Sequence, residues 1–288
     1  MDSAVRPLNY DLVKDLLQPR PAECHKGHFG HVLVVGGDAG MGGAALMAAE
    51  ACARTGAGLT SVATHPSHAS SFLVRRPELM VVGLDDVHVI NGLGERATTL
   101  VLGPGLGRSA WSEAVFATTL ALATQRQLPL VLDADGLNML AALRQTQASP
   151  EKGKWILTPH AGEAARLLGT TREAVEADRE GSVRALFEQY GGAVLLKGHG
   201  TLVCYQRDTR VMIERCQHGN PGMATGGMGD VLSGILGGLL AQGLSLEDAI
   251  RLGVCLHGKA GDLAAAAGGE RGTLATDLFP YLRTLLNP

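Results

Sequence analysis

The chain has 288 residues, 18% of them charged, with a formal net charge of −3 and only 4% aromatic residues. That is long enough to bury a large α/β core, and it carries no basic or aromatic footprint for nucleic acid. Five cysteines (Cys24, Cys52, Cys204, Cys216, Cys255) form no C-x-x-C pair, which reads as reduced thiols.

In chain order, residues 1–25 read as a short amphipathic helix and a proline-containing connector, "LQPRPAE". The opening has no apolar signal-like core, and no apolar run is long enough to span a membrane. The expectation is a soluble, cytoplasmic protein with no membrane partner. Residues 26–288 then read as one domain in which strand and helix patterns alternate. "HVLVVGG" (31–37) is a strand, followed by an Ala-rich helix over 44–55 and a strand "LTSVAT" (59–64). Further strands end at "TTLVLG" (98–103), "LPLVLDADG" (128–136), "KWILTPH" (154–160) and "GAVLLKG" (192–198). Helix-period segments lie between them, at 111–124, 161–168 and 172–190. "TLVCYQ" and "RVMIER" around "RDT" read as a hairpin, and helices follow at 230–241, 247–267 and 275–286. Cys52 and Cys255 fall in apolar helix patterns and are expected in the core. Alternating strands and helices imply a mostly parallel sheet covered on both faces.

Ligands of such sheets bind at the carboxyl ends of strands. The polar and glycine-rich loops "GGDAGMGG", "GPGLGRS", "DADGLN", "TPHAGE" and "KGHGT", with "GNPGMATGGMGD", are therefore expected on one rim. Arg108 stands where a dinucleotide fingerprint wants its third glycine, and Leu196 precedes Lys197 where a P-loop wants glycine. Both common nucleotide folds are disfavoured. Five glycines from Gly219 to Gly229 precede Asp230 and an apolar helix, aiming bare N–H groups along a helix axis, a ready anion site. Asp230 fits either as the N-cap or as a group that handles a proton. His160 and Glu163 are either a turn with a helix-start acid or a substrate contact with a carboxylate reaching Mg2+ through water. Lys197 is either a solvated strand-end lysine or part of a nucleotide loop, and Asp133 and Asp135 are either polar contacts or Asx-turns. His65, His68 and His88 lack metal-ligand spacing and read as surface residues; no zinc site is expected.

These blocks resemble, in order, the ADP-dependent NAD(P)H-hydrate dehydratases of the ribokinase-like superfamily, from "HKGHFGHVLVVGGDAGMGGAALMAAEACARTGAGL" through "LVLGPGLG", "LVLDADGLN", "ILTPHAGEAARLLG" and "VLLKGHGTLV" to "GNPGMATGGMGDVLSGILGGLLAQG". The resemblance implies a ribokinase-like three-layer α/β/α sandwich with a central, mostly parallel sheet. It implies a metabolite-repair lyase that phosphorylates the S epimer of hydrated NADH or NADPH and eliminates phosphate, with ADP as co-substrate, Mg2+ as metal and AMP as co-product. Ala44, Gly105, His160 and Asp230 match its hydrate-binding positions. Lys197, Gly198, His199, Gly200, Thr201 and Gly229 match its nucleotide-binding positions. Asp230 would be the base, and the amides of Gly227, Met228 and Gly229 the anion hole. Many relatives carry Thr or Ser at Met228, and many carry a fused epimerase domain that about 25 leading residues cannot supply. Cooperation with an epimerase, either a separate protein or another part of a longer product, and a homo-oligomer such as a tetramer are further implications. The competing readings are an ATP-using small-molecule kinase of the same superfamily and a non-catalytic nucleotide-binding regulator.

Overall fold

The computed structural model describes residues 5–146 and 153–287. Its strands are β1 Arg6–Leu8, β2 His31–Val35, β3 Leu59–Thr64, β4 Met80–Gly83, β5 Thr99–Leu102, β6 Leu130–Leu132, β7 Trp155–Leu157, β8 Ala193–Leu196, β9 Leu202–Arg207 and β10 Arg210–Cys216. The first helices are α1 Gly42–Thr55, α2 Ala69–Arg75, α3 Val89–Gly94, α4 Ala110–Arg126 and α5 Asp135–Thr146. They are followed by α6 Ala161–Leu168, α7 Arg172–Ala177, α8 Arg179–Tyr190, α9 Met228–Ala241, α10 Leu246–Gly268 and α11 Leu278–Leu285.

The strands form one sheet in the order β1-β10-β9-β8-β7-β6-β5-β2-β3-β4. From β8 to β4 all neighbours are parallel; β8–β9 and the β9–β10 hairpin are antiparallel. Alternation along each strand sorts its side chains into two cores. Val32, Val34, Val101, Val131, Ile156 and Leu195 pack with α1, α9, α10 and α11. Leu33, Val35, Leu100, Leu132, Leu157 and Leu196 pack under α3, α4, α5, α6 and α8. The expected three-layer architecture is thus present.

Several local expectations are corrected. The first four residues lie outside the described residues. After them the expected amphipathic helix is a short edge strand and two single 3-10 turns, Tyr10–Leu12 and Lys14–Leu16. Pro7 breaks the helix pattern yet is tolerated on an edge, where β1 pairs parallel to β10 and buries Leu8. The helix expected over 172–190 breaks at Asp178, whose Oδ1 accepts from the Gly181 N–H at 2.8 Å and caps α8. Strand β4 and helices α2, α3 and α5 were not foreseen; the "DADGLN" segment, read as a loop, already contains the first turn of α5. All five cysteines are free, with Cys52 and Cys255 buried as expected and Cys24 exposed. No helix among the described residues is long and apolar enough to cross a membrane.

The helix pair α1–α9 sits close against the sheet because α9 presents glycine to its neighbours. A Cβ at Gly234 would collide with the Ala48 carbonyl and stand 2.6 Å from the Ala51 Cβ. Gly234→Ala is therefore expected to cost about 1–3 kcal/mol by overpacking, read as a lower denaturation midpoint at unchanged m-value.

Candidate active site

The rim loops are stitched together by their own backbone. The Gly37 and Asp38 amides donate to the carbonyls of Pro104 (3.0 Å) and Gly105 (2.7 Å), so the loops after β2 and β5 lie side by side. This brings Ala44 and Gly105 together: a Cβ on Gly105 would stand 3.0 Å from that of Ala44. Asp135 latches the same region by accepting from the Gly107 N–H at 3.0 Å and pairing with Arg108 at 3.8 Å. The Lys197 N–H donates to the Pro159 carbonyl at 2.8 Å, joining the loops after β7 and β8.

The centre of the rim is Asp133, at the end of β6 and 1% exposed. Its Oδ1 accepts from Lys197 Nζ at 2.8 Å and Thr158 Oγ1 at 2.7 Å, and its Oδ2 from Ser233 Oγ at 2.6 Å. Burial opposes the charge, but Lys197 and the two hydroxyl donors hold Asp133 below the ordinary carboxylate range. Lys197 is not the solvated strand-end lysine. Burial disfavours its charge as well, and Asp133 and Glu163 hold it protonated, above its usual value. Thr158 and Ser233 were missed in the sequence. Ser233 carried a signal, a lone hydroxyl inside the apolar helix one turn beyond Asp230.

Around this pair stand two under-neutralised acids. Glu163, 5% exposed, is raised to about 7, chiefly by burial, with the Asp133 charge adding to it. Asp230 is also raised to about 7, by burial first and then by Asp133 and Glu163. Asp230 is not the N-cap of α9. That place belongs to Gly227 at φ 90°, a left-handed conformation that favours glycine, and Asp230 lies in the first turn. The first helical bond joins the Val231 N–H to the Gly227 carbonyl at 3.0 Å. The amides of Met228, Gly229 and Asp230 thus have no acceptor within the helix. A Cβ on Gly229 would sit 3.3 Å from Lys197 Nζ, so this donor-rich turn faces the lysine. The Met228 side chain points into the core, 5% exposed, and leaves only its backbone to the rim.

His160 fills the turn role and stays open at its other nitrogen. Its Nδ1 accepts from the Gly162 N–H at 2.9 Å and the Glu163 N–H at 3.3 Å, while Glu163 Oε2 accepts from the His160 N–H at 2.8 Å. This is a capping box at the start of α6. Its Nε2 lies 3.4 Å from Glu163 Oε1, on a side chain 54% exposed. In the loop after β8, Thr201 Oγ1 donates to the Gly198 carbonyl at 3.1 Å, and His199 is exposed. Of the three histidines read as surface residues, His88 is exposed. His65 and His68 are half-buried, His68 Nε2 meeting the Asp38 carbonyl at 3.0 Å and His65 lying edge-on to Trp111. Asp38, buried and accepting from Ser112 Oγ at 3.0 Å, is a rim carboxylate that the sequence reading passed over.

Sheet order and layers together define an α/β protein of the ribokinase-like fold. The chain belongs to the Carb_kinase family, described as NAD(P)H-hydrate dehydratase, which matches residues 32–284. It is 51% identical over 286 residues to a bifunctional NAD(P)H-hydrate repair enzyme of Coxiella burnetii, covering 98% of this chain and 56% of that protein. It is 39% identical to the ADP-dependent (S)-NAD(P)H-hydrate dehydratase of Neisseria meningitidis, covering 94% of this chain and 90% of that one. A solved ADP/ATP-dependent NAD(P)H-hydrate dehydratase of Bacillus subtilis, co-crystallised with ATP/Mg2+, superposes with a TM-score of 0.85 at 27% identity, covering 98% and 97% of the two chains. Ribokinase of Arabidopsis thaliana shares the fold alone, with a TM-score of 0.58 at 14% identity over 90% and 99% of the chains. The chain spans about half the length of the bifunctional relatives it matches.

Two outcomes test the electrostatics. Lys197→Met leaves Asp133 buried and uncompensated and is expected to cost about 3 kcal/mol, measured by denaturant unfolding near neutral pH. For Asp230 the folded value of about 7 exceeds the unfolded 3.8, so the fold binds the extra proton and stability falls as pH rises between them. Asp230→Asn is expected to melt higher than wild type at pH 8, with the gain shrinking towards pH 5.

Proposed function

We propose that this chain dehydrates the S epimer of hydrated NADH or NADPH, using ADP as phosphoryl donor and releasing AMP and phosphate. The observation that carries this reading is Asp230, a carboxyl raised to about 7 in the first turn of α9, beside three helix-start amides and opposite Lys197. Family membership and the names of the relatives supply the substrate and the donor.

In this mechanism the helix-start amides bind the moving phosphoryl group, and Lys197 supplies positive charge on its other side. Lys197, Gly198, His199, Gly200, Thr201 and Gly229 hold the nucleotide, and Ala44, Gly105 and His160 hold the hydrated ring. Asp230 takes the proton of the ring hydroxyl as its oxygen bonds to phosphorus and the bond to AMP breaks. A value near 7 suits a group that must accept a proton at neutral pH. Phosphate is a far better leaving group than hydroxide. Its departure breaks the carbon–oxygen bond, water takes a proton from the neighbouring ring carbon, and the double bond returns.

Among the described residues no group of three or more His, Cys, Asp or Glu could cage a metal. The donor set still fits Mg2+ carried on phosphates, which keeps several waters and needs few carboxylates. One lysine faces three carboxylates, Asp133, Glu163 and Asp230, so the rim is short of positive charge. Glu163 would hold Mg2+ through water, and the ion would neutralise phosphate charge there. A homo-oligomer, cooperation with an epimerase and a cytoplasmic location complete the proposal.

The test mixes the protein with hydrated NADH and Mg2+, adds ADP, ATP or neither, and follows reduced-nicotinamide absorbance together with AMP and phosphate. Recovery with ADP in step with AMP and phosphate is expected. A phosphorylated product that accumulates with ATP would instead indicate a kinase. Lack of recovery on substrate that a known dehydratase consumes would overturn the reading. Asp230→Asn should lose at least ~100-fold in turnover while still binding nucleotide, and the wild-type rate should rise with pH through about 7.

A further inference from the structure

In the loop after β8 three consecutive amides, those of Gly198, His199 and Gly200, have no acceptor among the described residues. Gly198 and His199 are exposed, and the backbone turns at φ 143° in Gly198 and φ 65° in Gly200. Successive free N–H groups in such a turn make a concavity suited to anions.

The carbonyls that lead into the turn are held by one side chain. Arg179, the first residue of α8, donates from Nη2 to the Leu196 carbonyl at 3.2 Å and to the Lys197 carbonyl at 3.3 Å. Its Nη1 pairs with Glu176 Oε2 at 3.3 Å, and the arginine side chain is only 18% exposed. Glycine at 198 admits the guanidinium. A Cβ there would stand 2.8 Å from Nη1, 3.0 Å from Nη2 and 3.1 Å from Cζ, so the flat group lies directly against the backbone. Arg215 is a contrast: its stem packs on Gly200, but its guanidinium pairs with Glu180 at 2.8 Å rather than with the loop.

The Lys197 carbonyl shares a planar unit with the Gly198 N–H, and in a trans peptide the two point in opposite directions. Holding that carbonyl from the α8 side therefore turns the N–H away from α8 and fixes the start of the amide run. A planar fork with donors in set directions serves this better than the single ammonium of a lysine.

We propose that Arg179 is a positioning residue of the nucleotide loop, gripping the Leu196 and Lys197 carbonyls so that the amides from Gly198 onwards are preset for a nucleoside diphosphate. The inference rests on the nucleotide-binding part of the dehydratase reading and deepens it.

The experiment compares wild type with Arg179→Met, which keeps the length of the stem and loses the donors, and Arg179→Lys, which keeps the charge without the fork. Arg179→Gln replaces the Met form if that form does not fold. The Met form is expected to bind ADP roughly ten-fold more weakly by calorimetry, with KM for ADP rising in step, because a preset loop becomes a mobile one. Its kcat at saturating ADP and its KM for the hydrate should stay within about two-fold of wild type. The Lys form should fall between the two. In amide NMR spectra without nucleotide, the Gly198 resonance should move in the Met form. An unmoved Gly198 resonance or an unchanged Kd for ADP would overturn the proposal. So would a Lys form equal to wild type, since charge near the loop would then be enough. A Met form in which both KM values, kcat and melting temperature worsen together would overturn it as well, as a loss of packing. If wild type binds ADP without turnover, the dehydratase reading fails, and the Kd comparison still decides the role of Arg179.

Discussion

The contact between Asp133 and Lys197 is the one on which the rest of the site depends. A carboxylate 1% exposed survives only when its charge and lone pairs are answered, and here Lys197, Thr158 and Ser233 answer them. Those partners come from three different elements: the loop after β8, the loop after β7, and α9. Satisfying one buried charge therefore fixes the spacing of three rim segments at once. It also places a protonated amine opposite the helix-start amides, so the same pairing that organises the rim makes it attractive to phosphate.

That arrangement has a cost in protons. One lysine among three acids leaves Glu163 and Asp230 short of positive charge, and both hold their protons to about 7. Such carboxyls lower the stability of the fold at neutral pH, as functional groups commonly do. In return, Asp230 is poised where small changes in its surroundings move its proton. A polyphosphate with a bound cation would bring the missing positive charge together with the anion that the amides await. Such a ligand would match both signs of charge on the rim.

Glycine gives this chemistry its geometry. At Gly227 the left-handed backbone turns the chain into α9 with no side chain over the first amides, and at Gly234 the absent Cβ lets α1 lie against the helix. Close packing on one side of α9 and an uncovered N-terminus on the other are what the glycine-rich stretch provides.

Much of this was legible in one dimension. Alternating β-branched runs and helix-period segments fix a parallel α/β sandwich, because strand polarity and burial are written in the apolar pattern. The ordered glycine loops pointed to a candidate site on the carboxyl rim, since bare backbone before an apolar helix has a direct electrostatic meaning. What the sequence could not show were contacts between residues far apart in the chain. Asp133 could equally have been an Asx-turn and Lys197 a solvated end, because nothing local records which charge faces which. Pro7 in an edge strand rather than beside a helix depended on a neighbour more than 200 residues away, Arg215 of β10. Nor could Asp230 be told from an N-cap: Gly227 takes that place through a left-handed turn stabilised by the surroundings of α9. Local pattern determined the layers and the rim; the pairing of buried charges, which is a property of distance in space, was decided only by the tertiary structure.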